Sequence, residues 1–154
     1  MQPLDKIIIR ESRREDVPAI IALLADDPLG AAREDPKHLD AYLRGFAEVA
    51  AQSGNMILVA EREGTVVGCL QVTIIPGLSR QGMKRALIEA VRVSAACRGL
   101  GLGGRLIRHA IDLARTQGCG LVQLTSDKSR ADAHRFYERL GFVASHIGFK
   151  LALD

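Results

Sequence analysis

The chain has 154 residues, of which 47% are hydrophobic and 25% charged, and this predicts a single globular domain over residues 1–154. Aromatic residues make up 4% and include no Trp, so the stacking platforms that bind single-stranded nucleic acid are not expected. The formal net charge of +3 suits a small anionic ligand but falls short of a nucleic-acid surface, so no nucleic-acid partner is predicted.

The cysteines and the N-terminus both favour the cytoplasm. Cys69, Cys97 and Cys119 are odd in number and form no Cys-x-x-Cys pair, as expected of free thiols in a reducing compartment. Residues 1–12 show no basic region followed by a long apolar run, so no secretory signal is evident. Since no apolar run approaches the roughly 18 residues that span a bilayer, no membrane partner is predicted either.

The first quarter of the chain predicts a strand followed by a helix. Lys6–Glu11 (KIIIRE) is a short β pattern. Ser12-x-x-Glu15 has the spacing of a capping box, which predicts a helix over about Arg13–Leu24. The segment Asp26–Gly30 (DDPLG) is then expected to break that helix.

A second helical pattern and a hairpin come next. Apolar residues recur at helical spacing within Ala31–Gln52, and Asp35-Pro36 fits a cap followed by proline at the first helical position. Met56–Glu61 and Thr65–Ile75 are two β patterns joined by a short glycine turn, which predicts an antiparallel hairpin.

The middle of the chain predicts an anion site. Ala86–Val93 has the pattern of a buried strand, Ser94–Gly104 is a turn segment with four glycines, and helical spacing continues from there to Gln117. Glycines let backbone N–H groups approach a ligand, and the first turn of a helix adds unpaired N–H groups and a partial positive charge. With Arg98 at its start, this loop suits a phosphate or a pyrophosphate.

The rest of the chain predicts one more strand, one more helix and two short terminal strands. The strand covers Leu121–Thr125 and the helix Ala131–Leu140, and the terminal strands cover Phe142–Ser145 and Phe149–Leu153. A run of antiparallel strands that leads into strand–helix–strand units indicates an α/β fold with a mixed sheet and helices on both faces.

The spacing of the glycines decides which phosphate ligand fits. No Gly-Lys-Ser/Thr follows them, which excludes a P-loop, and the pattern G-x-G-x-G-G differs from the Rossmann G-x-G-x-x-G. The run Arg98-x-x-Gly101-x-Gly103 resembles the pyrophosphate loop of the GNAT N-acetyltransferase family, Arg/Gln-x-x-Gly-x-Gly/Ala. Taken alone, this hexapeptide also fits an ordinary glycine-rich turn between a strand and a helix.

A second motif supports the resemblance. The block from His134 to Phe142 (HRFYERLGF) resembles the GNAT segment F-Y-x-x-L-G-F, and the match covers about Val59 to the C-terminus. The resemblance implies a mixed, mostly antiparallel sheet of six to seven strands. It also implies that the sheet is splayed between the fourth and fifth strands, which are Ala86–Val93 and Leu121–Thr125 in this chain.

The resemblance implies acetyl-CoA as donor and assigns residues to it. The pantetheine arm would pair with the backbone of Val91, Arg92 and Val93 like an added strand. The pyrophosphate would lie on N–H groups of the loop formed by Arg98, Gly99, Leu100, Gly101, Leu102, Gly103 and Gly104. Many relatives carry Asn where this chain has Arg130, so Arg130 is expected either to reach a CoA phosphate or to be an ordinary surface charge.

Two residues are candidates for catalysis. Tyr137 matches the family tyrosine near the CoA sulfur, which implies a general acid; the alternative is a half-buried aromatic that packs on the sheet. Glu89 is a carboxylate inside an apolar strand, where some family members carry the base that deprotonates the amine. The alternatives for Glu89 are an outward-facing charge and a partner for a buried arginine. The backbone N–H of Val91 would donate to the oxyanion.

The function implied is transfer of acetyl from acetyl-CoA to a primary amine of a small molecule, by direct attack in a ternary complex. Acetylation of proteins or peptides is one alternative, and a non-catalytic acyl-CoA-sensing regulatory domain is another. The histidines and cysteines lack the spacing of metal ligands, so no metal is predicted. A homodimer through the terminal strands is also expected.

Overall fold

The computed structural model describes residues 4–154, so residues 1–3 of the predicted domain lie outside the described residues. The chain divides into two compact units, Met1–Gln123 and Leu124–Asp154. Between residues 4 and 154 no helix combines the length and the apolar character needed to cross a membrane.

The first unit is built on one five-stranded sheet in the order of the chain. Neighbouring strands are antiparallel except for the last pair, which is parallel. The strands are β1 (Ile7–Glu11), β2 (Asn55–Arg62), β3 (Thr65–Ile75), β4 (Lys84–Val93) and β5 (Cys119–Gln123). The mixed, mostly antiparallel sheet is confirmed, with five strands in place of six to seven.

Five helical segments belong to this unit. They are α1 (Val17–Ala25), α2 (Pro28–Arg33), α3 (Leu39–Ala51), the single turn α4 (Ser79–Gly82) and α5 (Leu102–Thr116). Short 3₁₀ turns precede three of them, at Arg14–Asp16, Pro36–His38 and Ala95–Cys97. Asp35 caps the second of these turns by accepting from the N–H of Lys37, with proline at the first helical position as predicted.

Side chains alternate between the two faces of the sheet along each strand, and helices cover both faces. Val59 of β2 and Cys69 of β3 are paired, and they pack with Ile20 and Leu23 of α1. The intervening residues face the other way, where a Cβ on Gly68 would lie 3.0 Å from Leu106 of α5. Helix α5 also packs on β4 and β5, so the prediction of helices on both faces is confirmed.

The helical region after β1 begins with the 3₁₀ turn at Arg14, one residue later than the capping box predicted, and α1 itself begins at Val17. The box does not use Ser12 and Glu15; the N–H of Arg13 donates to Oδ2 of Asp16 over 2.7 Å. Asp16 takes this place because its carboxylate is also bound by Arg10 of β1, through bonds of 2.7 and 3.0 Å to its two oxygens. The contact with Arg10 therefore favours Asp16 over the predicted Glu15.

The segment DDPLG follows the end of α1, as predicted, and most of it also belongs to a further helix, α2. Asp27 is the N-cap of this helix and accepts from the N–H of Gly30, and Pro28 occupies the first helical position. Gly30 is required where α2 approaches α1, since a Cβ there would overlap the carbonyl oxygen of Leu24. The helical pattern assigned to Ala31–Gln52 is thus divided between α2 and α3.

The second unit contains one helix, α6 (Ala131–Arg139). A turn at Asp127 precedes it, where the carboxylate accepts from the N–H and the hydroxyl of Ser129. The predicted strands Phe142–Ser145 and Phe149–Leu153 are wrong: residues 142–154 contain no strand. Alternating apolar residues do occur there, but a strand also needs a ladder partner, and Phe149 is 91% exposed.

Candidate active site

Strand β5 covers only the first part of β4. The two strands pair only from Lys84 opposite Cys119 to Leu87 opposite Gln123, whereas β3 pairs with β4 as far as Val93. From Ile88 onward, β4 therefore has no strand partner on its β5 side within the described residues. Free backbone N–H and C=O groups on an extended edge can pair with an extended ligand. This open edge lies where the resemblance implied that the sheet splays, between the fourth and fifth strands.

A β-bulge lies in the part of β4 that pairs with β3 but not with β5. Glu89 pairs with Gln71 and Arg92 with Cys69, so two residues of β4 stand opposite one residue of β3. Ala90 has φ of +54°, a left-handed conformation that is uncommon for a residue with a Cβ. Because of the extra residue, Glu89 and Arg92 project from the same face of the sheet, the face that Cys69 shares with α1.

Glu89 is exposed on this face. Within residues 4–154 it forms no ion pair, so the predicted alternative of a buried arginine partner is not realised. A carboxylate on a sheet without such a partner needs access to water. That is also what a base acting through a water molecule needs, so this position is consistent both with a base and with an outward-facing charge.

Arg92 uses its side chain within the protein. Its Nε lies 3.0 Å from Oδ2 of Asp27, and its Nη1 donates to the carbonyl of Val91 over 2.9 Å. Arg92 and Asp27 side chains are 16% and 23% exposed, so the pair is mostly shielded. Any role of Arg92 in holding the donor therefore falls to its backbone, as it does for Val91 and Val93.

The glycine-rich loop exposes backbone at Gly99 and Gly101. Gly99 and Gly101 have φ of +77° and +86°, and nothing lies within 4 Å of a Cβ on Gly99. Gly101 is the N-cap of α5 and offers no side-chain oxygen to the first turn. The helix begins at Leu102, so Gly103 and Gly104 contribute N–H groups of that first turn. This combination of free amides and helix dipole is suited to an anion.

Buried neighbours fix the loop on either side. Cys97 and Leu102 are fully buried, and Leu100 is half-buried. Since these side chains anchor both ends, the amides between them are held in place before any ligand arrives. Such preorganisation lowers the entropic cost of binding.

The two arginines of the loop have different roles. Arg105 donates to the carbonyls of Leu4 and Ile7 over 2.7 and 2.9 Å, so it fastens α5 to the start of β1. Arg98 donates through Nε to Val93 and through Nη2 to the carboxylate and the carbonyl of Asp26. Asp26 and Asp27 were not identified from the sequence, because 72 residues separate Asp26 from its partner and no local pattern connects them.

The second motif forms a local aromatic cluster in the second unit. Tyr137 is half-buried in α6, with its ring centroid 5.0 Å from that of Phe136 and 5.8 Å from that of Phe142, both edge-on. The N–H of Phe142 donates to the carbonyl of Tyr137, which folds the glycine turn back onto the helix. Arg130 is the exposed N-cap residue of α6.

The remaining reactive groups show no metal site and one inert thiol. Burial raises the pKa of the Cys69 thiol to about 12, with the charge of Arg92 acting in the opposite direction. Across residues 4–154, no group of three or more His, Cys, Asp or Glu side chains is arranged to hold a metal ion.

Comparisons with known proteins agree with this geometry. A family model described as the acetyltransferase (GNAT) family matches residues 17–142. The chain is 30% identical over 145 residues to an aminoalkylphosphonate N-acetyltransferase from Salmonella typhimurium, covering 94% of this chain and 90% of that protein. It is 32% identical over 127 residues to a glucosamine 6-phosphate N-acetyltransferase from Trypanosoma brucei brucei, covering 81% and 84%.

The fold also matches solved structures. One is described as a transcriptional regulator from Bacillus halodurans C-125. It superposes with a TM-score of 0.92 at 46% sequence identity, over 96% of this chain and 99% of that chain.

Proposed function

The chain belongs to the GNAT family of acetyltransferases and is an acetyl-CoA-dependent N-acetyltransferase, and on this premise we propose that it acetylates a primary amine of a small molecule by direct attack in a ternary complex. The observation that carries the proposal is the continuity of β4 with the glycine-rich loop. The strand edge from Ile88 to Val93, which β5 leaves unpaired, is followed after the turn Ala95–Cys97 by the glycine-rich loop, in which Gly99 and Gly101 are exposed.

The donor would follow this path along β4 to the loop. Amide groups of the pantetheine arm would exchange hydrogen bonds with the backbone at Val91 and Val93, in the manner of an added strand. The diphosphate would then lie on the N–H groups from Gly99 to Gly104, at the positive end of α5. The family match over residues 17–142 supports a single N-acetyltransferase domain over residues 1–154.

Each step of the acetyl transfer is assigned to one group of the protein. The amine nitrogen attacks the thioester carbonyl, and the backbone N–H of Val91 stabilises the resulting oxyanion. Glu89 accepts the proton that the amine loses, through a water molecule. When the C–S bond breaks, Tyr137 gives its phenolic proton to the departing thiolate. The role of Tyr137 is supported by its place in the F-Y-x-x-L-G-F motif, and that of Glu89 by its solvated position beside the bulge.

The relatives narrow the class of acceptor. The two N-acetyltransferases described above act on an aminoalkylphosphonate and on glucosamine 6-phosphate, and each acceptor combines an amine with a phosphorus oxyanion. We therefore place small amines of this kind first, and simple amines and peptide amines after them. The test is thiol release from acetyl-CoA with a panel of these amines; turnover of no amine by a protein that binds CoA would contradict the proposal.

A regulatory function is the second candidate, favoured by the 46% identical structure described as a transcriptional regulator. A sensor of acyl-CoA would bind the donor through the same strand edge and loop. The two candidates are separated by Tyr137→Phe, which removes only the proton donor. If acetyl transfer is the function, this variant loses both turnover and function while it keeps CoA affinity; a regulatory function needs only CoA binding and would survive the substitution.

The homodimer stays a prediction. Apolar side chains in residues 143–153, including Ile147 and Leu151, are more than two-thirds exposed in the single chain. Light scattering on the purified protein measures the oligomeric state directly, and a monomer at all concentrations would rule out a dimer.

A further inference from the structure

Two consecutive aspartates between α1 and α2 pair with arginines of β4 and of the glycine-rich loop. Asp27 pairs with Arg92 near the end of β4, over 3.0 Å. Asp26 pairs with Arg98 at the start of the glycine-rich loop, over 3.1 Å. The short junction is therefore fastened at two points that lie before and after the turn Ala95–Cys97.

The Asp27 side of the junction is rigid. Asp27 holds the first turn of α2 as well as Arg92, and its side chain is 23% exposed. Because α2 begins there and meets α1 in close contact at Gly30, the backbone of Asp26 has little freedom to move. Asp26 is thus a fixed point from which a more mobile side chain can be held.

The side chain that Asp26 holds is Arg98. Nη2 of Arg98 donates to both the carboxylate and the carbonyl of Asp26, each over 3.1 Å, and Nε donates to Val93 over 3.2 Å. Nη1 makes no hydrogen bond within residues 4–154. Since the guanidinium is planar, fixing Nε and Nη2 also fixes the direction of the Nη1 donors.

We infer that Asp26 is a positioning residue, which orders the guanidinium of Arg98 so that Nη1 can bind the CoA diphosphate. The inference rests on the proposed function, because it requires the diphosphate to lie on the loop. A long side chain that is 53% exposed would otherwise lose rotamer freedom on binding, and Asp26 removes that loss beforehand.

The negative charge of Asp26, considered alone, would weaken CoA binding. An aspartate beside a diphosphate repels it, so removal of Asp26 would tighten CoA binding if repulsion dominated. With its side chain 54% exposed, Asp26 is screened by water and salt, which weakens the repulsion. Ordering of Arg98 is therefore expected to dominate, and the sign of the change distinguishes the two effects.

The experiment is calorimetric titration of the full chain with CoA. Asp26→Ala is expected to weaken binding roughly threefold to tenfold, the cost of ordering one long side chain. In an Arg98→Ala background the same substitution should change affinity by less than about twofold, since its only route of action is gone. Asp112→Ala is the matched control, because it breaks another exposed Asp–Arg pair away from the loop and should leave CoA affinity unchanged.

Three outcomes would count against the inference or its premise. Equal or tighter CoA binding by Asp26→Ala, with an unchanged melting temperature, would overturn the inference and leave the proposed function standing. An equal loss of affinity with and without Arg98 would also overturn it. If the wild-type chain failed to bind millimolar CoA, the proposed function itself would fail. Asp26→Asn keeps an oxygen acceptor, so it is expected to bind CoA more tightly than Asp26→Ala does.

Discussion

Two clusters of arginine and carboxylate in the first unit have the same chemistry and different surroundings. Arg10, Asp16 and Glu61 are 19%, 10% and 24% exposed in their side chains, and Arg10 bonds both carboxylates. Arg98 and Asp26 form a contact of 3.1 Å and are both more than half exposed, whereas both contacts of Arg10 are 2.7 Å long. The difference teaches that burial decides the role: a shielded pair stabilises the fold, whereas an exposed pair leaves its cation available to a ligand.

The shielded cluster is also the one that perturbs an acid. Hydrogen bonds from Arg10 hold the pKa of Asp16 below its usual value, against the desolvation that would raise it, and the N–H of Arg13 adds to this effect. We expect substitutions there to change stability and not catalysis, and substitutions on the loop to change donor binding and not stability.

The largest expected effect is that of Gly101→Val. A β-branched residue does not adopt φ of +86°, so the amides of the loop would turn away from the diphosphate. We expect kcat/KM for acetyl-CoA to fall more than about 1,000-fold, since several donors are displaced together. Steady-state kinetics measure the effect. Gly45→Val, in the exposed middle of α3 where a Cβ meets nothing within 4 Å, is the matched control and should keep full activity.

Asp16→Asn should have the next largest effect, and on a different quantity. Removing one carboxylate leaves Arg10 partly unpaired in a shielded place, which is expected to lower the free energy of unfolding by roughly 3 kcal/mol. Denaturant titration measures it, while kcat/KM of the folded fraction should stay unchanged. A stable Asp16→Asn protein with impaired CoA binding would mean that the two clusters do not differ as described.

Glu89→Gln tests the proposed catalytic role of a third, exposed carboxylate. Loss of a general base is expected to lower kcat about 100-fold at neutral pH, with KM for acetyl-CoA unchanged. The deficit should shrink as pH rises toward the pKa of the amine, because the free amine then needs no base. A pH–rate profile tests this, and a parallel shift without recovery at high pH would assign Glu89 another role.

The smallest expected effect is a dependence of stability on acid. The pKa of Asp16 is lowered in the folded chain, so its contribution is complete above its unfolded pKa of about 4 and is lost as pH falls through the folded value. Unfolding free energies measured below pH 5 should therefore fall less steeply for Asp16→Asn than for the wild type. Identical slopes would show that Asp16 is not perturbed.

Local patterns in the sequence predicted the elements that we propose bind the donor. The strand β4, the glycine-rich loop and α5 all have periodicity and turn residues that specify them without help from distant residues. The splay was predicted only through the family resemblance. Helix α2 was not predicted, because Asp26–Gly30 predicts the end of the preceding helix. Asp27 and Pro28 are nevertheless a suitable N-cap and first helical residue.

Other features depend on distant contacts that no local pattern reports. The bulge at Ala90 has no glycine to mark it, and the left-handed conformation of Ala90 is imposed by pairing with β3. The pairing of Asp26 with Arg98 joins segments from different parts of the chain. The predicted terminal strands are wrong for a related reason. Their apolar alternation is a local pattern, but a strand also needs a neighbouring strand to pair with, and a local pattern does not report one.

The central claim is that CoA binds along the open edge of β4 and on the loop that follows it. Hydrogen–deuterium exchange of the full chain, with and without saturating CoA, tests this residue by residue. We predict slower exchange at the amides of residues 91–93 and 99–104, with the amides of β1 and β2 unchanged. Binding of CoA without protection of these two segments would contradict the account.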